Sequence, residues 1–119
     1  MEAVKSVLAL VTNLMFSVKI REVAATMGGH LTLVSNNEEI LEKLDIHPSL
    51  LILDLTAVED GWQNVVAKAK EAGVPVLAYG PHVEVDLHEA ARAAGCDDVV
   101  ANSKLNIDLP NLLGKYLGN

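Results

Sequence analysis

Pro48-Ser49-Leu50-Leu51-Ile52-Leu53-Asp54-Leu55 sets the architecture of this chain. Leu50, Leu51, Ile52 and Leu53 form an unbroken apolar run, preceded by a Pro-Ser turn signal and ended by a carboxylate. A run of that length suits a strand buried on both faces, as in a parallel sheet. A second such run spans residues 7–11. Working outward from these two, the strand candidates are residues 5–12, 31–35, 50–55, 75–79 and 99–101.

Between them the apolar spacing changes to that of helices. Ile20, Val23, Ala24 and Met27 fall at i, i+3, i+4 and i+7, and Gly28 stops that helix. Asn36 with Glu39 resembles a capping box ahead of Ile40, Leu41 and Leu44. Trp62, Val65, Val66 and Ala69 repeat the stripe before Gly73 and Pro75. Leu87, Ala90, Ala91 and Ala94 do so before Gly95, and Leu109, Leu112, Leu113 and Tyr116 form the fifth. Five strand–helix alternations predict an α/β fold, a doubly wound parallel sheet with helices on both faces. Right-handed crossovers and this length favour the flavodoxin-like (βα)5 strand order 2-1-3-4-5. One domain is expected to fill residues 1–119.

Composition narrows the function. Half of the 119 residues are hydrophobic and only 3% aromatic, so the core is expected to be Leu, Val, Ile and Ala. The net charge of −7, with seven lysines and two arginines scattered along the chain, argues against nucleic-acid binding, which needs clustered cations. No apolar segment reaches the roughly 18 residues of a membrane span. No early stretch reads as a secretion signal, so a cytoplasmic location is expected. Cys96 is the single cysteine, and no pair of the four histidines has zinc-ligand spacing on a helix face. Cys96 is expected to be a buried, inert thiol and His82 a surface-loop residue. Phosphate-cradling and dinucleotide glycine patterns and a nucleophile elbow are absent from the sequence. Neither catalysis, a cofactor nor a metal is expected.

In an open α/β sheet, ligands bind beyond the carboxyl ends of the strands. Those positions hold Thr12 and Asn13, Asp54, Gly80 and Asn102. Asp54 closes a buried run, so it must lie at the strand tip or accept hydrogen bonds from the following loop.

Three stretches carry a family resemblance: residues 48–55, Gly73-Val74-Pro75-Val76-Leu77, and Ala93-Ala94-Gly95-Cys96-Asp97-Asp98-Val99-Val100. Their order and spacing resemble the receiver (CheY-like) domains of two-component response regulators, from about Lys5 to Leu117. The resemblance implies Asp54 as the phosphoacceptor position. It also implies an acidic, Mg²⁺-holding pair after the first strand, a Thr or Ser after the fourth and a Lys after the fifth. Here Thr12 and Asn13 replace the acidic pair, Gly80 the hydroxyl and Asn102 the lysine, although Lys104 lies two residues on. A hard divalent cation thereby loses its main oxygen ligands. The phosphoryl group loses its cation.

The expectation is a degenerate, stand-alone receiver, or pseudo-receiver. It would be a signalling protein–protein interaction module whose phosphorylation at Asp54 is lost or weak. The partner would be a kinase or effector. A homodimer through the fourth helix, fifth strand and fifth helix is an analogy-based expectation; that surface would include Glu84, His88, Arg92, Lys104 and Lys115. Three other readings stay open. One is a functional phospho-receiver of a phosphorelay whose atypical acidic site joins Asp54 with Glu59 and Asp60. Another is an anti-sigma-antagonist-like domain, suggested by Leu53-Asp54-Leu55-Thr56-Ala57-Val58, which requires a strand in place of the helix near residues 20–27. The last is a small-molecule binder with Gly80-Pro81 and Thr12-Asn13 lining a pocket.

Overall fold

A computed structural model describes residues 5–118. Five parallel strands are joined by helical crossovers: β1 (Lys5–Leu10), α1 (Leu14–Thr26), β2 (Gly29–Leu33), α2 (Asn37–Lys43), β3 (Leu50–Asp54), α3 (Trp62–Glu71), β4 (Val76–Gly80), α4 (Val85–Ala94), β5 (Asp98–Ala101) and α5 (Asn102–Leu117). The sheet order is β2-β1-β3-β4-β5, the expected flavodoxin-like arrangement. Every residue of β3 and β4 is buried, as their apolar runs require. The two faces of the sheet make two cores. Val7, Ala9, Ile52, Leu77 and Tyr79 pack under α1 and α5. Leu8, Leu51, Leu53, Val66 and Ala91 pack with α2, α3 and α4. The helix near residues 20–27 is therefore present, which removes the anti-sigma-antagonist reading.

Local chemistry places the boundaries. Asn36 caps α2 by accepting from the Glu39 N–H at 2.8 Å, and the Glu39 carboxylate accepts in return from the Ser35 N–H at 2.7 Å. The Asn36 half of the expected capping box forms, whereas the Glu39 carboxylate reaches the N–H one residue before the cap rather than that of Asn36 itself. β2 begins two residues earlier than the apolar pattern predicts. Gly28 adopts a left-handed φ of 76°, which turns the chain directly out of α1. Gly29 then passes so close to that helix that a Cβ would meet the Ala24 carbonyl at 3.0 Å.

α5 also departs from expectation, because it starts at Asn102 rather than near Leu109. Its backbone breaks at Asp108 (φ −112°, ψ 19°), two residues before Pro110. Proline lacks the N–H needed inside a helix, so the chain makes a short first segment and then a second, apolar one. Gly114 lies in the second segment, and a Cβ there would meet only the Met27 Cε, at 4.0 Å. Gly114→Ala is expected to raise stability by about 0.5–1 kcal/mol, read as a higher urea midpoint at unchanged slope.

Asp97 pins the amino-terminal edge of the sheet. Its carboxylate accepts from the Lys70 ammonium at 2.6 Å and the Val76 N–H at 2.7 Å. Burial alone would raise its pKa, but these donors outweigh it and hold the carboxyl below the usual range. Asp97 therefore lies at the opposite edge from Asp54.

Candidate functional site

Asp54 is the last residue of β3 and stands at the carboxyl edge of the sheet, only 5% exposed. The following turn holds it. Its Oδ1 accepts from the Thr56 N–H at 2.9 Å and from the Thr56 hydroxyl at 2.7 Å. Its Oδ2 receives only a long contact, 3.4 Å, from the Thr12 hydroxyl. All these donors are neutral. A buried carboxylate is costly unless hydrogen-bonded, and Thr56 meets most of that requirement on one oxygen alone.

The other positions at this edge have separate local roles. Asn13 caps α1, its side-chain oxygen accepting from the Phe16 N–H at 3.1 Å. Gly80 ends β4, and its carbonyl lies 3.3 Å from His88 Nε2. A Cβ at Gly80 would meet the Leu55 Cβ at 3.4 Å and His88 Nε2 at 3.7 Å, so a small side chain has room there. Asn102 opens α5, and its buried Oδ1 has no hydrogen-bond partner among the described residues. Lys104 does not turn back toward Asp54, because its ammonium pairs with Asp108 at 2.8 Å.

Glu59 and Asp60 are drawn elsewhere too. The Glu59 carboxylate accepts from the Asn37 N–H at 2.6 Å, and the Asp60 carbonyl accepts from the Asn37 side-chain amide at 2.8 Å. The acidic loop is thus fastened to the start of α2, where a carboxylate suits the helix dipole. Among the described residues no three His, Cys, Asp or Glu side chains are grouped to hold a metal ion. The donors around Asp54 amount to one carboxylate and one hydroxyl beyond Thr56. That set does not fit Mg²⁺, which wants an octahedron of oxygens with carboxylate charge.

Two histidines divide as follows. His82 is exposed, as expected for a loop residue. His88 is buried against the tip of β4, so it cannot belong to the surface it was expected to share with Glu84 and Arg92. Of the residues expected to line a pocket, Asn13 does line one, but it shares it with α1 rather than with Thr12, Gly80 or Pro81. This groove, about 650 Å³, runs along α1 from Asn13 and is lined by Leu14, Met15, Phe16, Val18 and Lys19, with Asn106 of α5 opposite.

Tyr79 is a member of this edge that sequence reasoning missed. It pairs directly with Asp54 in the β3–β4 register and is 1% exposed. Its buried hydroxyl has no hydrogen-bond partner among the described residues. Burial first, and then the Asp54 charge, push the phenol well above its ordinary pKa.

Cys96 is half-buried, and burial reinforced by the Asp97 charge pushes its thiol up to about 11. Alkylation by iodoacetamide at pH 8 is expected to run on the order of a hundredfold slower than at an ordinary cysteine, because the thiolate is the nucleophile. The rate should climb only as pH approaches 11. A thiol raised in the folded state contributes stability that is intact below its unfolded pKa, about 8.5, and is lost as pH rises through the folded value.

No family model and no curated protein matches the sequence. Solved structures do match its shape. The phosphorylated cyanobacterial phytochrome response regulator RcpA superposes with a TM-score of 0.78 at 18% identity, covering 98% of this chain and 96% of that one. This chain has the receiver fold. The receiver domain of a Pseudomonas aeruginosa PAO1 sensor histidine kinase, solved with magnesium in its active-site cleft, matches the receiver fold here with a TM-score of 0.77 at 16% identity, covering 98% of this chain and 100% of that one. HP1043, an orphan response regulator of H. pylori, matches with a TM-score of 0.75 at 18% identity, covering 95% and 96%.

Proposed function

We propose that this chain is a degenerate receiver: a cytoplasmic signalling module that acts through protein–protein contacts, with phosphorylation at Asp54 lost or weak. One observation carries the reading. Asp54 keeps the strand-tip position of the fold, yet it is held by neutral donors alone. Phosphoryl transfer to a carboxylate depends on neutralising charge with metal and cation. Here Thr12 and Asn13 bring no charge, Asn102 is neutral, Lys104 is engaged by Asp108, and Glu59 is engaged by Asn37. What remains is a stable scaffold presenting surfaces to a kinase or an effector.

The α4–β5–α5 side is the proposed self-association surface. Lys115 pairs with Asp98 there at 2.7 Å, which leaves Glu84 and Arg92 as exposed charges without a salt bridge among the described residues. The test of the function is direct. After incubation with acetyl phosphate and Mg²⁺, the intact mass is expected to be unchanged. A stoichiometric phosphoryl adduct that disappears in Asp54→Asn overturns the reading.

A further inference from the structure

Lys19 and Glu22 stand on α1 at i, i+3, a spacing at which opposite charges ordinarily meet. They form no salt bridge with each other. The Lys19 ammonium reaches across to α5, where it donates to the Asn106 carbonyl and, at 2.9 Å, to the Asn106 Oδ1. Both acceptors are neutral, so its charge is uncompensated, and an ammonium has a further N–H to give. Glu22 is exposed, and its carboxylate has no salt bridge among the described residues.

Both charges line the α1–α5 groove, whose wall is otherwise apolar: Leu14, Met15, Phe16 and Val18. Leu14 and Met15 are 76% and 80% exposed there. Single apolar residues on a surface are ordinary, whereas a concave cluster with a few polar groups is the pattern of a ligand site. The volume of about 650 Å³ falls within the range of such sites. An apolar wall that carries one free cation and one free anion is complementary to a ligand with the same three parts. An aliphatic carboxylate satisfies Lys19 but brings a second negative charge to Glu22. Spacing selects the size of the zwitterion. Cβ atoms at i, i+3 lie about 5–6 Å apart, and two peptide residues span at most about 7 Å. A dipeptide therefore separates its ammonium and carboxylate on the scale of the two side chains that would receive them.

We propose that the α1–α5 groove binds a short apolar peptide with both termini free, its carboxylate on Lys19 and its ammonium on Glu22. The peptide's side chains lie on Leu14, Met15 and Val18, which removes that apolar surface from water. Asn106 is a positioning residue: it draws the Lys19 ammonium to the α5 side of the groove and keeps it away from Glu22. Without that tether the two charges would be free to neutralise each other. The site does not involve Asp54, so it adds a ligand to the proposed signalling module without calling on phosphoryl chemistry.

Titration of the whole chain with leucyl-leucine, read at the Met15 methyl by nuclear magnetic resonance, tests this. The methyl resonance is expected to move and to saturate. Leucyl-leucine amide lacks the carboxylate and N-acetyl-leucyl-leucine lacks the ammonium, and each is expected to bind about two- to fivefold more weakly, as befits the loss of one exposed ion pair. Lys19→Gln should weaken leucyl-leucine by the same factor while the amide binds no more weakly than before. Glu22→Gln should do likewise, with the acetylated peptide as the one that loses nothing. Both side chains are on the surface, so these variants keep the fold, and unchanged core resonances check that. Equal affinity for the three peptides overturns the proposal, as does a variant that weakens free and blocked peptides alike. A Met15 displacement that grows without saturating overturns it too.

Discussion

Ile52→Ala is expected to cost about 3–5 kcal/mol, because removing three methyl or methylene carbons from a sealed core forfeits transfer energy and leaves a cavity. Ile52 is fully buried and lies in the central strand, flanked by Ala9 of β1 and Leu77 of β4. Neither neighbour can move into the space without breaking the ladder on both sides. A domain of this size has roughly 5–15 kcal/mol of total stability, so about a fifth or more disappears. The melting temperature should fall by roughly 10–20 °C. Ile107→Ala is the matched control: Ile107 is 80% exposed, and its truncation is expected to stay within about 0.5 kcal/mol. Equal melting temperatures for the two variants would contradict the two-core architecture.

The same contrast explains how much was legible in the chain. Ile52 could be assigned to the core because an apolar run leaves a central strand no polar face, and that property is local. The five strand–helix units, their order and the sheet topology follow from such local patterns combined with general chirality rules. Boundaries were less legible where one residue overrides a pattern. Gly28 turns the chain early, and Pro110 splits a helix whose first segment, beginning at Asn102, has little apolar spacing. His88 had a usable signal, since it stands three residues before the buried Ala91 and so shares its helix face. Asn13 had one too, as an Asn directly ahead of a helix. Tyr79 had none. Its meaning depends on standing opposite Asp54 across a strand pair, and register between distant segments cannot be read from either segment alone. The same holds for Glu59, which looked available to Asp54 until the fold brought Asn37 beside it.

Putting charge back at the strand tips tests why Asp54 is inert under the proposed reading. In the combined variant Thr12→Asp, Asn13→Asp and Asn102→Lys, two carboxylates join Asp54 at the edge where Thr12 now makes its 3.4 Å contact. Clustered carboxylates repel one another and disfavour shared ionisation, so the variant is expected to melt below the parent in the absence of divalent cations. Mg²⁺ should reverse the loss, because a cation that binds only the folded state stabilises it by RT ln(1 + [L]/Kd), about 1.4 kcal/mol at tenfold saturation. The parent should show no such response at millimolar Mg²⁺, since its one available carboxylate is a poor site for a hard cation. Loss of the Asn13 cap adds little, because aspartate is an equally good N-cap. The Asn102→Lys ammonium would enter a position where the Asn102 Oδ1 now has no partner among the described residues, so it displaces no hydrogen bond of that oxygen. A parent whose melting temperature rises with Mg²⁺ as far as the variant's would show that Asp54 recruits its ligands from elsewhere. A variant indifferent to Mg²⁺ would show that the backbone at these tips has moved too far to hold the ion. Under the proposed reading, the expected split between the two proteins traces the missing Mg²⁺ site to the uncharged side chains at positions 12 and 13, on a receiver fold that is otherwise intact.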